Sequence, residues 1–261
     1  MIVLTCLVAL GAAALTFFTG FGLGTLLLPA FALVLPVEAA VAATAVVHLA
    51  NNLFKLALVF RDVDRGVLLR FALPAAGAAL VGAGVLAVMT AWPALFQYEF
   101  LGATRRVSPV GLVVGVVIAL FAAIELSPRY DTLAFPRQWI PLGGIVSGLF
   151  GGLSGHQGAL RTAFLVRAGL TKERFIATGV ASAVVVDLSR LAVYGVSFFA
   201  RDWALLRERG AVGAVIGACL CALAGSVLGS RLVRRVTLAG LRRFIGFCLL
   251  LLAPALALGL I

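Results

Sequence analysis

The segment Gly148-Leu149-Phe150-Gly151-Gly152-Leu153-Ser154-Gly155-His156-Gln157-Gly158-Ala159-Leu160-Arg161 interrupts an apolar region of the chain with glycines and polar residues. A shorter break of the same kind lies about half a chain earlier, at Gly20-Phe21-Gly22-Leu23-Gly24-Thr25. Short apolar segments broken by glycine at corresponding positions of two halves are typical of secondary transporters built from repeats, in which the breaks hold the substrate. The two breaks therefore predict a transporter and the place of its binding site.

The composition indicates an integral membrane protein. Of the 261 residues, 63% are hydrophobic and 12% are charged, and the mean hydropathy is +1.16, which is far from the values of soluble domains. Several apolar stretches reach the roughly 20 residues that a membrane-spanning helix needs, but 21–36 and 156–170, which each follow a break, fall short. We expect an all-α polytopic membrane protein of about eight to ten helical segments. The stretches are 2–19, 21–36, 37–60, 66–91, 107–126, 138–154, 156–170, 173–200, 210–231 and 238–261.

The net charge of +11 reflects basic loops between apolar helices rather than a nucleic-acid surface. If the two segments at each break either both cross the membrane or both dip in and return, 13 Lys and Arg residues lie on one side and 5 on the other. The positive-inside rule then makes the first side cytoplasmic and leaves both termini outside. If only one segment of each pair crossed, the division would be 10 against 8, a bias too weak to set an orientation. A multi-pass protein of the cell (inner) membrane follows.

The paired arrangement also predicts an inverted-topology repeat. Each half then contains an odd number of elements, so the second half enters the membrane upside down. The halves are residues 1–126 and 127–261, which together form a single membrane domain. Weak internal similarity agrees, because Asn52-x-x-Lys55-Leu56-Ala57 aligns with Asp187-x-x-Arg190-Leu191-Ala192. The two broken elements would enter from opposite faces and meet near the middle of the bilayer.

Each break is a candidate anion site. Irregular backbone inside hydrocarbon is tolerated only where it is buried in protein or lines a watery cavity. A helix that begins after a break offers free N–H groups and the positive end of its dipole. The second break adds side chains that hydrogen-bond oxyanions, whereas the alternative for both breaks is that glycine merely allows close helix crossing. The predicted binding residues of the breaks are Gly20, Gly22, Gly24 and Thr25 in the first, and Ser154, Gly155, His156, Gln157, Gly158 and Arg161 in the second.

The two long helices after the breaks carry the other polar groups at membrane depth. His48, Asn52 and Lys55 lie at i, i+4 and i+7, on one helix face, and Asp187 and Arg190 lie at i and i+3. Ionisable groups inside a membrane are functional candidates, so all five are predicted to contribute to substrate binding. Asp187 and Arg190 have an alternative, which is to neutralise each other. Lys55 has three options: an ion pair with Asp187, a charge offered to the substrate, or a place at the membrane surface.

The runs Gly20–Pro29 and Gly148–Arg161 resemble the paired glycine motifs of the TauE/SafE family of sulfite and organosulfonate exporters, and the resemblance extends over nearly the whole chain. It implies transport of a small sulfur-containing anion such as sulfite, thiosulfate or an organosulfonate. The chain departs from the pattern where Leu23 interrupts the first glycine run and where His156 and Gln157 replace glycines in the second, which leaves room for a different substrate. An imidazole in the second break would couple transport to protons.

Other classes of function have weaker support in the sequence. The chain shows no metal-ligand cluster, phosphate loop or nucleotide motif, so we expect no metal, no cofactor and no use of ATP. Enzyme activity is not expected, because no residue has the local pattern of a nucleophile. Two alternatives stay open. A membrane enzyme acting on a lipid or a sulfur compound would use His48, Asp187 and His156. A membrane subunit would dock a partner protein at its Arg-rich loops.

Overall fold

The structure is a computed structural model that describes residues 2–15, 22–128, 133–199, 210–232 and 238–260. These residues form ten α-helices and one β-hairpin, which confirms the prediction of an all-α polytopic membrane protein apart from the hairpin. The helices are α1 (Ile2–Leu15), α2 (Leu23–Ala32), α3 (Val37–Val59), α4 (Arg65–Met89), α5 (Pro109–Leu126), α6 (Ile140–Ser154), α7 (Gly158–Leu165), α8 (Lys172–Tyr194), α9 (Ala211–Leu232) and α10 (Leu238–Ala257).

Among the described residues, five helical segments are long and apolar enough to cross a membrane. They contain α3, α4, α5, α8 and α9, and each reaches the length that the hydrocarbon layer requires. Shorter apolar helices accompany them, including α1 and α2. The chain is therefore a multi-pass membrane protein. The five segments are Val37–Asp62, Arg65–Met89, Pro109–Leu126, Lys172–Ser197 and Ala211–Gly229.

Side-chain caps set the starts of two of the long helices. The Asp64 side chain accepts a hydrogen bond from the Val67 N–H (2.9 Å) at the start of α4. The Ser108 hydroxyl accepts from the Gly111 N–H (2.9 Å) at the start of α5, where Pro109 occupies the first turn. Both are preferred capping arrangements, because they satisfy amides that have no acceptor within the helix.

Glycines on α6 let this helix lie directly against α4. Gly144, Gly148 and Gly152 follow one another at four-residue spacing and so share one helix face. A Cβ atom on any of them would overlap backbone atoms of α4, at Phe71, Ala75 and Ala79 respectively. Close backbone approach of this kind stabilises helix pairs in membranes, where packing rather than the hydrophobic effect drives association. Gly148 and Gly152 therefore allow close helix crossing, which was the alternative for the glycines of the breaks.

The remaining helices pack in a small number of pairs. Besides the α4–α6 pair, α1 packs against α9, α5 against α10, and α3 against α8. Two further contacts join these pairs, one between α4 and α8 and one between α3 and α9. The helix α2 lies against α1 and α3, and α7 lies against α6 and α8. Each of the short helices after the two breaks therefore lies against one long helix and against the helix that precedes its break.

A β-hairpin that the sequence analysis did not predict joins α4 to α5. Its strands β1 (Phe96–Phe100) and β2 (Ala103–Val107) are antiparallel, and the two-residue turn between them has positive φ angles at Leu101 (52°) and Gly102 (74°). Positive φ at both central residues is the feature of a type I′ turn, which suits the twist of the flanking strands. The conformation of the two turn residues thus favours this hairpin.

The hairpin is fastened to the end of α10. The Tyr98 hydroxyl donates to the Leu258 carbonyl oxygen (2.8 Å), and Arg105 Nη1 donates to the Leu260 carbonyl oxygen (3.1 Å). Carbonyl groups in the last turn of a helix lack N–H donors within it, so β1 and β2 supply donors to the chain at the end of α10. The connection between α4 and α5, in the first half of the chain, is therefore bonded to the residues that directly follow the last helix, α10.

Candidate functional site

The first break brings an unusual backbone conformation to the start of α2. Gly22, the residue before the helix, has φ 105° and ψ −24°, a left-handed conformation that glycine adopts without strain. Gly24 packs on α3, because a Cβ atom there would lie 3.7 Å from side-chain atoms of both His48 and Thr44. Gly20, which the sequence also assigns to this break, lies outside the described residues. The start of α2 is therefore held beside the polar face of α3.

The second break separates α6 from α7. The helix α6 ends at Ser154, and Gly155 follows with a left-handed φ of 84° and donates its N–H to the Gly151 carbonyl oxygen (3.0 Å). The link is folded back onto α6, because the Ser147 hydroxyl donates to the Gln157 carbonyl oxygen (3.0 Å). The helix α7 then begins at Gly158. Gly155 thus acts as a left-handed helix end, and it turns the chain into a new helix start.

Residues of both breaks line one cavity. The space between its atoms is about 330 Å³, of which the centre of a water molecule can reach about 10 Å³. The cavity is therefore narrow in this conformation, with room for little more than one water. Its lining from the first half is Gly22, Gly24, Thr25, His48, Phe121 and Glu125, and from the second half Gly155, His156, Gln157, Gly158 and Ala159.

Eight of the predicted site residues thus come together, and others lie behind them. Among the described residues, Asn52, Ser154 and Asp187 do not line the cavity but bind residues that do, and Arg190 binds Asp187. Lys55 and Arg161 also lie away from it, although both are buried. They are close enough to each other for their charges to interact. The spacing of polar residues along each helix did not reveal this division.

The Asp187 carboxylate, which is 0% exposed, joins the two halves of the chain. Its Oδ2 accepts from His48 Nδ1 (2.7 Å) and from Asn52 Nδ2 (3.0 Å), both on α3. Its Oδ1 accepts from Arg190 on α8, through Nε (3.1 Å) and Nη2 (2.8 Å), and from Gln157 Nε2 in the second break (3.4 Å). Asp187 therefore has donors on every side, as a buried carboxylate requires.

This geometry decides between the alternatives for Asp187 and Arg190. The two residues neutralise each other on one helix face, as one interpretation of the sequence predicted. Asp187 also forms an ion pair with His48 on α3. The Lys55 charge lies near enough to Arg161 for the two to interact, and a Lys55–Asp187 ion pair stays a prediction.

Arg190 and Tyr194, which are one turn apart on α8, both contact the region of the second break. A Cβ atom on Gly155 would lie 2.7 Å from Arg190 Nη1, so the guanidinium group lies directly against the break. The Tyr194 hydroxyl donates to the Gly152 carbonyl oxygen in the last turn of α6. A cation and a hydroxyl donor at the carboxyl end of a helix both complement its free carbonyl groups and its dipole. The break is therefore stabilised by α8.

Arg190 Nη1, which lies against Gly155, is one of several buried polar atoms beside the cavity without a hydrogen-bond partner in the described part of the chain. Two more belong to the second break itself. They are His156 Nε2 and Gln157 Oε1, in residues that are 5% and 1% exposed. The other ends of both side chains are fixed, because His156 Nδ1 bonds Ser154 Oγ (3.2 Å) and Gln157 Nε2 bonds Asp187. Buried polar groups are nearly always satisfied, so this pair of atoms marks a place for a ligand or water.

Two cavity residues, Glu125 and Phe121, were missed by the sequence analysis. Glu125 is 2% exposed near the end of α5, and Phe121 lies one turn earlier with its ring centroid 5.5 Å from that of His156. The sequence signal that could have revealed Glu125 is that it is an ionisable residue inside the apolar stretch 107–126.

The described residues contain no group of three or more His, Cys, Asp or Glu side chains arranged to hold a metal ion.

The comparisons with known proteins agree with the membrane architecture. Residues 5–256 match the family model described as Sulfite exporter TauE/SafE. No curated protein and no solved structure showed a significant match to the chain. Because the family match covers nearly all of the 261 residues, it includes both breaks and every helix that lines the cavity. The chain therefore belongs to the TauE/SafE family of sulfite exporters and is a membrane transporter.

Proposed function

We propose that the protein is a secondary transporter that carries a small sulfur-containing anion, such as sulfite, thiosulfate or an organosulfonate, through the cavity between the two breaks. The observation that carries this proposal is that residues half a chain apart, in both breaks, line the same cavity. Membership of a sulfite exporter family supports the class of substrate. The residues proposed to contact the anion are the polar and glycine residues of that lining.

The two helix starts supply the donors for an anion. The first hydrogen bond within α2 runs from the Leu26 N–H to the Gly22 carbonyl oxygen (3.0 Å), and the first within α7 from the Arg161 N–H to the Gln157 carbonyl oxygen (3.0 Å). The amides of residues 23–25 and 158–160 therefore precede the helical hydrogen bonds. Glycines at this point let an oxyanion approach the backbone closely, and both helix dipoles favour its negative charge.

The size of the cavity supports a transport cycle with a closed state. The centre of a water molecule reaches only about 10 Å³ of the cavity, so a sulfur oxyanion enters only after the elements around it move apart. The lining belongs to five parts of the chain, α2, α3, α5, the link before α7 and α7 itself, so a movement between any two of them changes the width of the cavity. Alternating access of this kind, around one fixed site, is the expected mechanism of transporters with broken helices.

The packing of the helices supports an inverted repeat of residues 1–126 and 127–261. In such a repeat each helix of α1–α5 corresponds to the helix at the same place in α6–α10, so that α1 corresponds to α6 and α4 to α9. Under this correspondence the α4–α6 contact maps onto the α9–α1 contact, and the α4–α8 contact maps onto the α9–α3 contact. The α3–α8 and α5–α10 pairs each map onto themselves. This is the pattern that a pseudo-two-fold axis produces. The two helix starts would then approach the middle of the bilayer from opposite sides.

Uptake into liposomes that contain only this protein tests the proposal. We expect labelled sulfite or thiosulfate to accumulate unchanged, and unlabelled sulfur oxyanions to compete better than carboxylates or phosphate. Bulk at Gly24, which lines the cavity, should lower uptake by about tenfold or more in Gly24→Val. The matched control is Gly84→Val on α4, where a Cβ atom meets nothing within 4 Å.

Three outcomes would contradict the proposal. Stronger competition by carboxylates or phosphate would remove the sulfur assignment. Chemical conversion of the substrate would indicate a membrane enzyme. Flux that requires a second protein would indicate a subunit of a larger assembly.

A further inference from the structure

A second and wider opening lies between α3, α4 and α8, away from the cavity. The space between its atoms, with its open mouth, is about 910 Å³, and the centre of a water molecule reaches about 520 Å³ of it. Pockets that bind small molecules have about 300–1,000 Å³. In the described part of the chain it shares no lining residue with the cavity. We call it the arginine groove, and its lining is Arg61 and Arg65 together with the apolar residues Leu56, Phe60, Val63, Leu68 and Ala181.

The charged and the apolar residues of the arginine groove lie at different depths. Arg61 and Arg65 lie at the ends of two membrane-spanning segments, in the link after α3 and in the first turn of α4. The start of α8 is on the same side, because Arg174 in its first turn pairs with Asp64 of this link. Ala181 lies two to three turns further along α8, which corresponds to a depth of about 13 Å at a rise of about 1.5 Å per residue. The groove therefore begins at the level of lipid headgroups and continues to the level of acyl chains.

The arginines of the groove have positive charge to offer to a ligand. Within the described residues, neither Arg61 nor Arg65 forms an ion pair, and no acidic residue is part of the lining. The Arg61 guanidinium carbon lies 5.7 Å from the centre of the Phe60 ring, so a cation and an apolar surface are side by side. The planar donors of arginine match the oxygens of a phosphate group.

The two acidic residues of the same link do not cancel this charge. Asp64 is engaged elsewhere, because its carboxylate accepts from the Val67 N–H (2.9 Å) and from Arg174 Nη1 (3.4 Å). Asp62 is exposed to solvent. The link and the starts of α4 and α8, residues 60–70 and 172–174, carry five basic and three acidic side chains. The surroundings of the groove are therefore net positive and suit an anion.

We propose that the arginine groove binds a phospholipid with a negatively charged headgroup. Its phosphate lies on Arg61 and Arg65, and the upper part of one acyl chain lies against the apolar residues. A free anion would use only the two arginines, whereas a lipid also covers the apolar surface between the helices. The charge distribution assigns this end of α3 and α4 to the cytoplasm, and acidic lipids concentrate in the cytoplasmic leaflet. The site is separate from the cavity and does not depend on the identity of the transported anion.

The test compares the binding of phosphatidylglycerol and phosphatidylcholine to the purified protein in detergent, by native mass spectrometry. We expect one phosphatidylglycerol molecule to bind about tenfold more tightly than phosphatidylcholine, because only the former carries a net negative charge. It should also raise the unfolding temperature more, since a ligand that binds the folded state stabilises it.

The double variant Arg61→Gln, Arg65→Gln should lose this preference, because it keeps the apolar lining but removes both charges. The matched control is Arg70→Gln, Lys172→Gln, which removes two positive charges from the same side of the protein. Both control side chains are exposed and neither lines the groove, so the control should bind phosphatidylglycerol like the wild type.

A labelling experiment on the wild-type protein locates the lipid. A phosphatidylglycerol with a photoreactive group in the upper part of one acyl chain should label residues 56–68 and the region around Ala181. Inorganic phosphate should compete only weakly with it, because phosphate makes no apolar contact.

Four outcomes would overturn the proposal. They are equal binding of the two lipids by the wild type, a preference that survives in Arg61→Gln, Arg65→Gln, labelling confined to residues outside the groove, and inorganic phosphate that displaces the lipid at equal concentration. If the double variant does not fold, the wild-type preference and the position of the label decide the question.

Discussion

The buried charges around the site are balanced at Asp187. A buried ion pair contributes little net stability, because its attraction must offset the loss of hydration of both groups. The removal of one partner is costly, because the other charge then stays buried and unpaired. Arg190 is only 1% exposed, so removal of Asp187 would leave its guanidinium charge buried without hydration to replace the carboxylate.

We expect Asp187→Ala to lower the free energy of unfolding by about 3–5 kcal/mol. The measurement is thermal unfolding of the purified protein in detergent. The control is Arg174→Gln, since Arg174 forms a 3.4 Å pair with Asp64 in which its side chain is 58% exposed, and such pairs contribute about 0–1 kcal/mol. The double variant Asp187→Leu, Arg190→Met should recover part of the loss, and equal destabilisation by the Asp187 and Arg174 variants would contradict this account.

The sequence predicted single residues of the site well where polarity stood out against an apolar background. His48, His156 and Gln157 were found because such side chains are costly at membrane depth. Glu125 was missed because it lies at the end of its apolar stretch, where a charge also suits a membrane surface. Lys55 was assigned to the site because it is an ionisable residue on the same helix face as His48 and Asn52, and helical spacing does not say which neighbouring helix that face meets.

Among the helices, the contact of α6 with α4 depends most directly on glycine. We expect Gly148→Ala to disrupt this pair, because the added Cβ atom would overlap the backbone of Ala75 and neither helix has a flexible side chain there to move aside. The expected cost is about 1–3 kcal/mol. The measurement is the yield of monodisperse protein together with its thermal unfolding. In the control Gly77→Ala, on α4, the new Cβ meets nothing within 4 Å, and a loss of stability there would contradict the argument.

Helices were predicted more completely than the hairpin, and for a physical reason. A membrane helix needs a long apolar run, so length and hydropathy alone located nearly all of them. The strands β1 and β2 have five residues each, too few for a pattern of alternation to stand out. The strands are stabilised by Tyr98 and Arg105, which donate hydrogen bonds to carbonyl groups at the end of α10. That contact is distant in sequence and cannot be found by periodicity.

For the whole molecule, the charge distribution predicts which loops face the cytoplasm. In a cysteine-free background, a membrane-impermeant maleimide should label Glu99→Cys on the hairpin only from outside the cell. It should label Asp62→Cys, between α3 and α4, only from the cytoplasmic side, because the loops on that side carry the larger share of Lys and Arg. Both residues are exposed. The reverse labelling would invert the topology, and labelling of both from one side would contradict the assignment of α4 as a span.

The position of Asp187 also limits how the protein moves. Its two oxygens are held by α3 from the first half and by α8 and the second break from the other half. Hydrogen bonds of this kind survive a small rotation about the carboxylate but not a slide of one half past the other. We therefore expect the two halves to rotate about Asp187 when the cavity beside it opens.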